Sequence, residues 1–95
     1  NNVLYVFLSC KKKSHLWDDL LKSRNNSIIF YGDENIKDDY ILKDRILTLK
    51  CKDTFDHLPT KIVLMIKSIL EIEEFKNITH IFKIDDYDIP LNLLC

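Results

Sequence analysis

This sequence predicts an α/β fold: a Rossmann-like, mostly parallel sheet flanked by helices. Three observations carry that prediction. Residues 3–8 and 27–31 are short apolar runs rich in β-formers, the length of strands buried on both faces, and residues 45–50 and 79–84 read as further strands. Helical patterns around residues 14–25 and 59–75 fall between them, giving the order β-α-β-β-α-β. The intervening connections are long enough to return the chain to the same end of a sheet, as parallel strands require.

Taken in order, the first strand covers residues 3–8. Ser14 then stands at a capping position ahead of Leu16, Trp17, Leu20 and Leu21, whose spacing makes one apolar helix face that runs out near Asn25 and Asn26. The second strand, 27–31, closes on Gly32 and Asp33, a turn signal. Residues 34–40 are polar and read as loop, and 45–50 as the next strand. Pro59 opens the longest helix, because proline at the first helical position loses no hydrogen bond. Ile62, Leu64, Met65, Ile69, Ile72 and Phe75 are expected inside, with Lys61, Lys67, Ser68, Glu71 and Glu74 facing water and Asn77 ending the helix. The last strand, 79–84, runs directly into Asp85, Asp86, Tyr87 and Asp88. No repeat, low-complexity stretch or linker divides residues 1–95, so a single domain is expected.

Composition narrows the functional classes. The 95 residues suffice for one modest core, and 46% hydrophobic with 11% aromatic content argues against disorder. Fourteen basic against fifteen acidic side chains, net −1, argue against a nucleic-acid or membrane-surface partner, which usually needs a basic excess. No apolar run approaches the roughly 20 residues that span a bilayer. The three cysteines, Cys10, Cys51 and Cys95, have no C-x-x-C spacing and are expected as reduced thiols. His15, His57 and His80 are scattered among different elements, which leaves no nucleophile–histidine arrangement to recognise. A single glycine excludes a Gly-rich phosphate loop.

The chemistry therefore concentrates at one place. In open parallel sheets ligands bind outside the carboxyl ends of the strands, where Asp85, Asp86 and Asp88 follow the last strand. Carboxylates crowded together disfavour one another's ionisation unless a cation neutralises them. Mg²⁺ or Mn²⁺ suits such oxygen ligands and shares its remaining positions with phosphate. An acidic turn that serves the fold alone has the same spacing. The lysine run 11–13 lies after the first strand, where phosphate would sit, and as a charge run it also reads as a solvated loop.

With these residues in view, the segment from Lys83 through Asp88 resembles the K-x-D-x-D segment of nucleotide-sugar-dependent glycosyltransferases of GT-A fold. Upstream, Asp53, Phe55, Leu58 and Lys61 resemble the D-x-Y-x-N-L-x-x-K stretch of the β-1,3-galactosyltransferase and Fringe-like family, and Gly32-Asp33 falls where that family ends a strand in a Gly/Asp turn. The resemblance implies the N-terminal, nucleotide-binding part of a GT-A fold, with Mn²⁺ (or Mg²⁺) bridging the diphosphate of a UDP-sugar and a glycan or protein hydroxyl as acceptor. Tyr87 stands where the family has its last aspartate, and a shift of one residue restores D-x-D from Asp86 and Asp88. The implied metal ligands are Asp86 and Asp88 with Asp85 beside them, and the implied nucleotide contacts are Ser9, Lys11, Asp33 and Lys61. Asp53 and Phe55 are read as fixing the start of the long helix. The family places its acceptor site and catalytic base beyond the aspartate motif, so this chain is expected to bind the nucleotide-sugar without transferring it. Golgi-lumenal or cytosolic location is compatible with the resemblance. The alternative is a non-catalytic α/β interaction module with a structural acidic turn, and an exposed sheet edge would in either case favour a homo-oligomer.

Overall fold

The apolar run that opens the chain becomes a central strand because it has side chains to bury on both faces. In the computed structural model, which describes residues 2–84, β1 (Val3–Leu8) lies between β2 (Ser27–Gly32) and β5 (His80–Ile84), parallel to both. β2 pairs in parallel with β4 (Ile46–Leu49), and β3 (Tyr40–Lys43) closes that side antiparallel to β4. The order β3-β4-β2-β1-β5 makes an α/β sheet that is parallel except at one edge.

Alternation along the strands divides the core. Leu4, Val6, Ile28, Phe30, Leu47 and Leu49 pack on one face against Met65 and Ile69 of α2 (Leu58–Glu71). Phe7 and Ile29 pack on the other against Leu21 of α1 (Trp17–Ser23), with Trp17 and Leu20 beside them. Each fully buried side chain of this size contributes on the order of 2 kcal/mol, so the α2 face holds the larger share of the stabilisation.

The helices differ from expectation at their ends. Ser14 caps nothing; it sits inside a 3₁₀ turn, Lys11–Leu16, that begins at Cys10 and leads into α1. The chain reverses immediately after β1, and the Lys13 N–H donating to the Cys10 carbonyl at 3.0 Å closes that tight turn. Lys11 and Lys12 are exposed as a solvated run should be, but Lys13 is buried. α2 stops at Glu71 instead of continuing to residue 75, because Ile72 turns extended before a short 3₁₀ segment, Glu73–Phe75. That break lets Ile72, Phe75 and Ile78 pack against the α2-side core. Ser68 and Lys61, expected to face water, are both buried. Ser68 satisfies its hydroxyl on the Leu64 carbonyl at 2.7 Å. Cys10 is disulfide-bonded, correcting the reduced thiol expected there, since spacing along the chain does not say which cysteines fold together; Cys51 is free.

β3 is the element that sequence patterning misses, and its turn explains why. Asp44 and Arg45 both have positive φ (52° and 68°), the backbone of a two-residue hairpin loop whose usual residues are Asn and Gly. A left-handed arginine is costly unless its surroundings hold it. Here its Nε–H donates to the Ser27 carbonyl (3.0 Å), and Nη2 donates to the carbonyls of Leu21 (3.0 Å) and Arg24 (2.7 Å) and to Ser27 Oγ (2.8 Å). One guanidinium thus ties the hairpin to the end of α1 and the start of β2. Arg45→Ala is expected to lower the unfolding free energy by about 2 kcal/mol in urea denaturation, with Arg45→Lys recovering little, since one ammonium cannot span these acceptors.

Candidate functional site

Three parallel strands deliver their following residues to one end of the sheet. β1 leads into Ser9, Cys10 and Lys11, β2 ends at Gly32 and leads into Asp33, and β4 leads into Cys51, Lys52 and Asp53. Asp53 joins them. Its Oδ2 accepts the Lys11 backbone N–H at 2.8 Å, its Oδ1 accepts the Gly32 N–H at 2.9 Å, and the same Oδ1 is 2.7 Å from the ammonium of Lys61 on α2. Lys61, only 1% exposed, also donates to the Ser9 carbonyl at 3.3 Å. Gly32 is required by close approach: a Cβ there would stand 2.8 Å from the Cys51 carbonyl oxygen and 2.9 Å from that of Lys52. Backbone cannot move aside as a flexible side chain can.

Asp53 does more than the helix-start role expected of it. The start of α2 is held separately, by Thr54 Oγ1 against His57 Nδ1 at 2.6 Å and by the His57 N–H donating to the Thr54 carbonyl at 3.1 Å. Asp53 instead serves as the common acceptor for three separated segments.

The candidates for ligand contact divide by exposure. Ser9 is buried, its hydroxyl accepts the Trp17 indole N–H at 2.7 Å, and its N–H donates to the Phe30 carbonyl at 3.0 Å. Ser9 and Lys61 therefore position their neighbours, and Lys11 and Asp33 are the two of the four with surface to offer. Asp33 Oδ1 accepts the Asn35 N–H at 3.0 Å, which shapes the turn after β2, and the Asp33 N–H donates to the Leu49 carbonyl at 2.8 Å. Beside Lys11 lie two half-buried rings, Trp17 and Tyr31, with centroids 5.0 Å apart. Neither ring was singled out from sequence, because each lies on an apolar face where packing alone accounts for it.

Asp85, Asp86 and Asp88 lie outside the described residues. Among the described residues no group of three or more His, Cys, Asp or Glu stands ready to hold a metal. A cavity of about 420 Å³ opens at the opposite, amino end of the strands, lined by Asn2, Ser27, Arg45, Glu74 and Phe75 among others. It is remote from the strand ends that gather the candidate residues.

Burial raises the pKa of the Cys51 thiol; the nearby Lys61 ammonium works against this and the Asp53 carboxylate adds to it. The thiolate is disfavoured, so alkylation of Cys51 by iodoacetamide between pH 7 and 9 is expected to be slower than that of an unstructured cysteine peptide. Asp53→Ala strands a buried ammonium and two backbone N–H groups, and is expected to cost about 3 kcal/mol or more in denaturant unfolding. Lys61→Met leaves a carboxylate that is 21% exposed and still hydrogen-bonded, so it should cost less, and the double variant should cost less than the sum. No family model, curated protein or solved structure matches this chain.

Proposed function

We propose that the chain is the nucleotide-sugar-binding part of a metal-dependent glycosyltransferase of GT-A type, taking a UDP-sugar as donor. The observation that carries this reading is the Asp53–Lys61 pair. These two residues come from the stretch that resembles the β-1,3-galactosyltransferase and Fringe-like motif, and they meet at 2.7 Å at the carboxyl end of a parallel sheet. That end is where open α/β sheets bind ligands.

The roles follow from exposure. Lys11 offers its ammonium to the diphosphate, and Asp33 offers a carboxylate to the ribose or base. Ser9 and Lys61 hold the backbone beneath them. Asp85, Asp86 and Asp88 follow β5 directly, and an all-carboxylate donor set suits a hard cation such as Mn²⁺ or Mg²⁺. The bound metal would supply Lewis-acid neutralisation of the charge that develops on the departing UDP. The acceptor in this reading is a glycan or protein hydroxyl, and no residue of this chain is assigned as its base.

One feature favours a second reading, a non-catalytic interaction module. Val63, Ile66 and Leu70, 56%, 41% and 79% exposed, recur at i, i+3 and i+7 along one face of α2, apolar surface of the kind that protein partners cover.

Calorimetric titration of UDP into the protein, with Mn²⁺ and again with EDTA, separates the two. Metal-dependent binding that is lost in Asp86→Ala/Asp88→Ala supports the glycosyltransferase reading. A chain that is folded by circular dichroism and binds no UDP under either condition overturns it in favour of the module.

A further inference from the structure

Lys11 is held at its backbone and loose at its tip. Its N–H is pinned by Asp53 at 2.8 Å, yet its side chain is exposed and its ammonium lies over two rings, 5.8 Å from the centroid of Trp17 and 6.0 Å from that of Tyr31. Those rings do not wander. The Trp17 indole is anchored to Ser9 Oγ at 2.7 Å and packs beside the Phe7, Leu21 and Ile29 cluster. Tyr31 sits in β2 one residue before Gly32, with its ring tilted 44° to that of Trp17. The result is a half-exposed aromatic ledge, fixed from below, at the carboxyl end of β1 and β2, with the exposed Lys11 side chain resting its ammonium over it.

An exposed cation over an aromatic face is weakly held and easily exchanged, whereas a planar base stacked on such a face is held more strongly. We infer that Trp17 and Tyr31 form the ledge on which the planar base of a nucleoside diphosphate lies, with Lys11 the cover that swings from the rings to the diphosphate. This rests on the nucleotide-binding reading above and adds the residues that select a base. Asp33, two positions after Tyr31, is then placed toward the sugar side of the same ligand. Inorganic diphosphate meets Lys11 and the metal without the ledge, and a nucleotide meets the ledge as well.

Trp17 is the only tryptophan in the chain, so its emission reports directly on the ledge. With Mn²⁺ present, UDP is expected to quench Trp17 fluorescence strongly, and inorganic diphosphate, which draws Lys11 away but lays no base on the ring, to change it much less. Tyr31→Leu is expected to weaken UDP binding about tenfold and leave diphosphate affinity unaltered, while Tyr31→Phe, which keeps the ring, binds UDP as the parent chain does. Circular dichroism melts establish that each variant is folded; if Tyr31→Leu is not, the comparison of UDP with diphosphate on the parent chain decides. UDP that binds by calorimetry without altering Trp17 emission, or a folded Tyr31→Leu chain with undiminished affinity, overturns the ledge and leaves the nucleotide-binding reading standing. No calorimetric UDP binding by the parent chain overturns both.

Discussion

A single carboxylate holds together the end of the sheet on which every functional argument depends. Asp53 receives the backbone N–H groups that follow β1 and close β2, and it pairs with an ammonium that α2 carries into the interior. Burying a lysine head is costly, and only a close counter-charge with further hydrogen bonds makes it tolerable. Lys61 has both, in Asp53 and the Ser9 carbonyl. The pair therefore registers three strand ends and one helix against each other. It also explains why β2 must end in glycine, since the chain after β4 has to pass close enough to reach Gly32 with its carboxylate.

The opposite end of the sheet is organised by the complementary device. There a guanidinium collects acceptors from the end of α1 and the start of β2, as Asp53 collects donors at the carboxyl end. Both use charge to satisfy backbone groups where regular pairing stops, and charge-assisted hydrogen bonds are about twice as strong as neutral ones. The two differ in consequence. Arg45 is consumed by its own backbone contacts, whereas the segments that Asp53 fixes present Lys11, Asp33 and the two rings outward. A division of labour follows, in which buried polar residues set position and exposed ones stay in contact with solvent.

How much of this was legible depends on the distance over which each feature is encoded. β1, β2, β5 and both helices were readable because apolar periodicity and a proline at a helix start are properties of neighbouring residues. β3 was not, because its turn uses an aspartate and an arginine in a conformation that usually signals glycine or asparagine, and the bonds that hold it reach 18 to 24 residues away. Ser14 resembled a cap for the same reason that it proved not to be one: local chemistry cannot know that the chain must reverse directly after β1.

The sequence alone determined the α/β class, the burial of β1 and β2 on both faces, and the short list of polar residues near the strand ends. Only the tertiary structure decided which of them are spent. Lys61 reads as a surface charge on an amphipathic helix until Asp53 takes its ammonium inside, and nothing local in the sequence says that the Ser9 hydroxyl accepts the Trp17 indole N–H. Asp53 reads as a helix-start residue until Lys11, 42 positions earlier, donates to it. Periodicity records which side of an element is apolar. Whether a polar group on that element is free or already satisfied depends on a partner that folding alone brings within 3 Å.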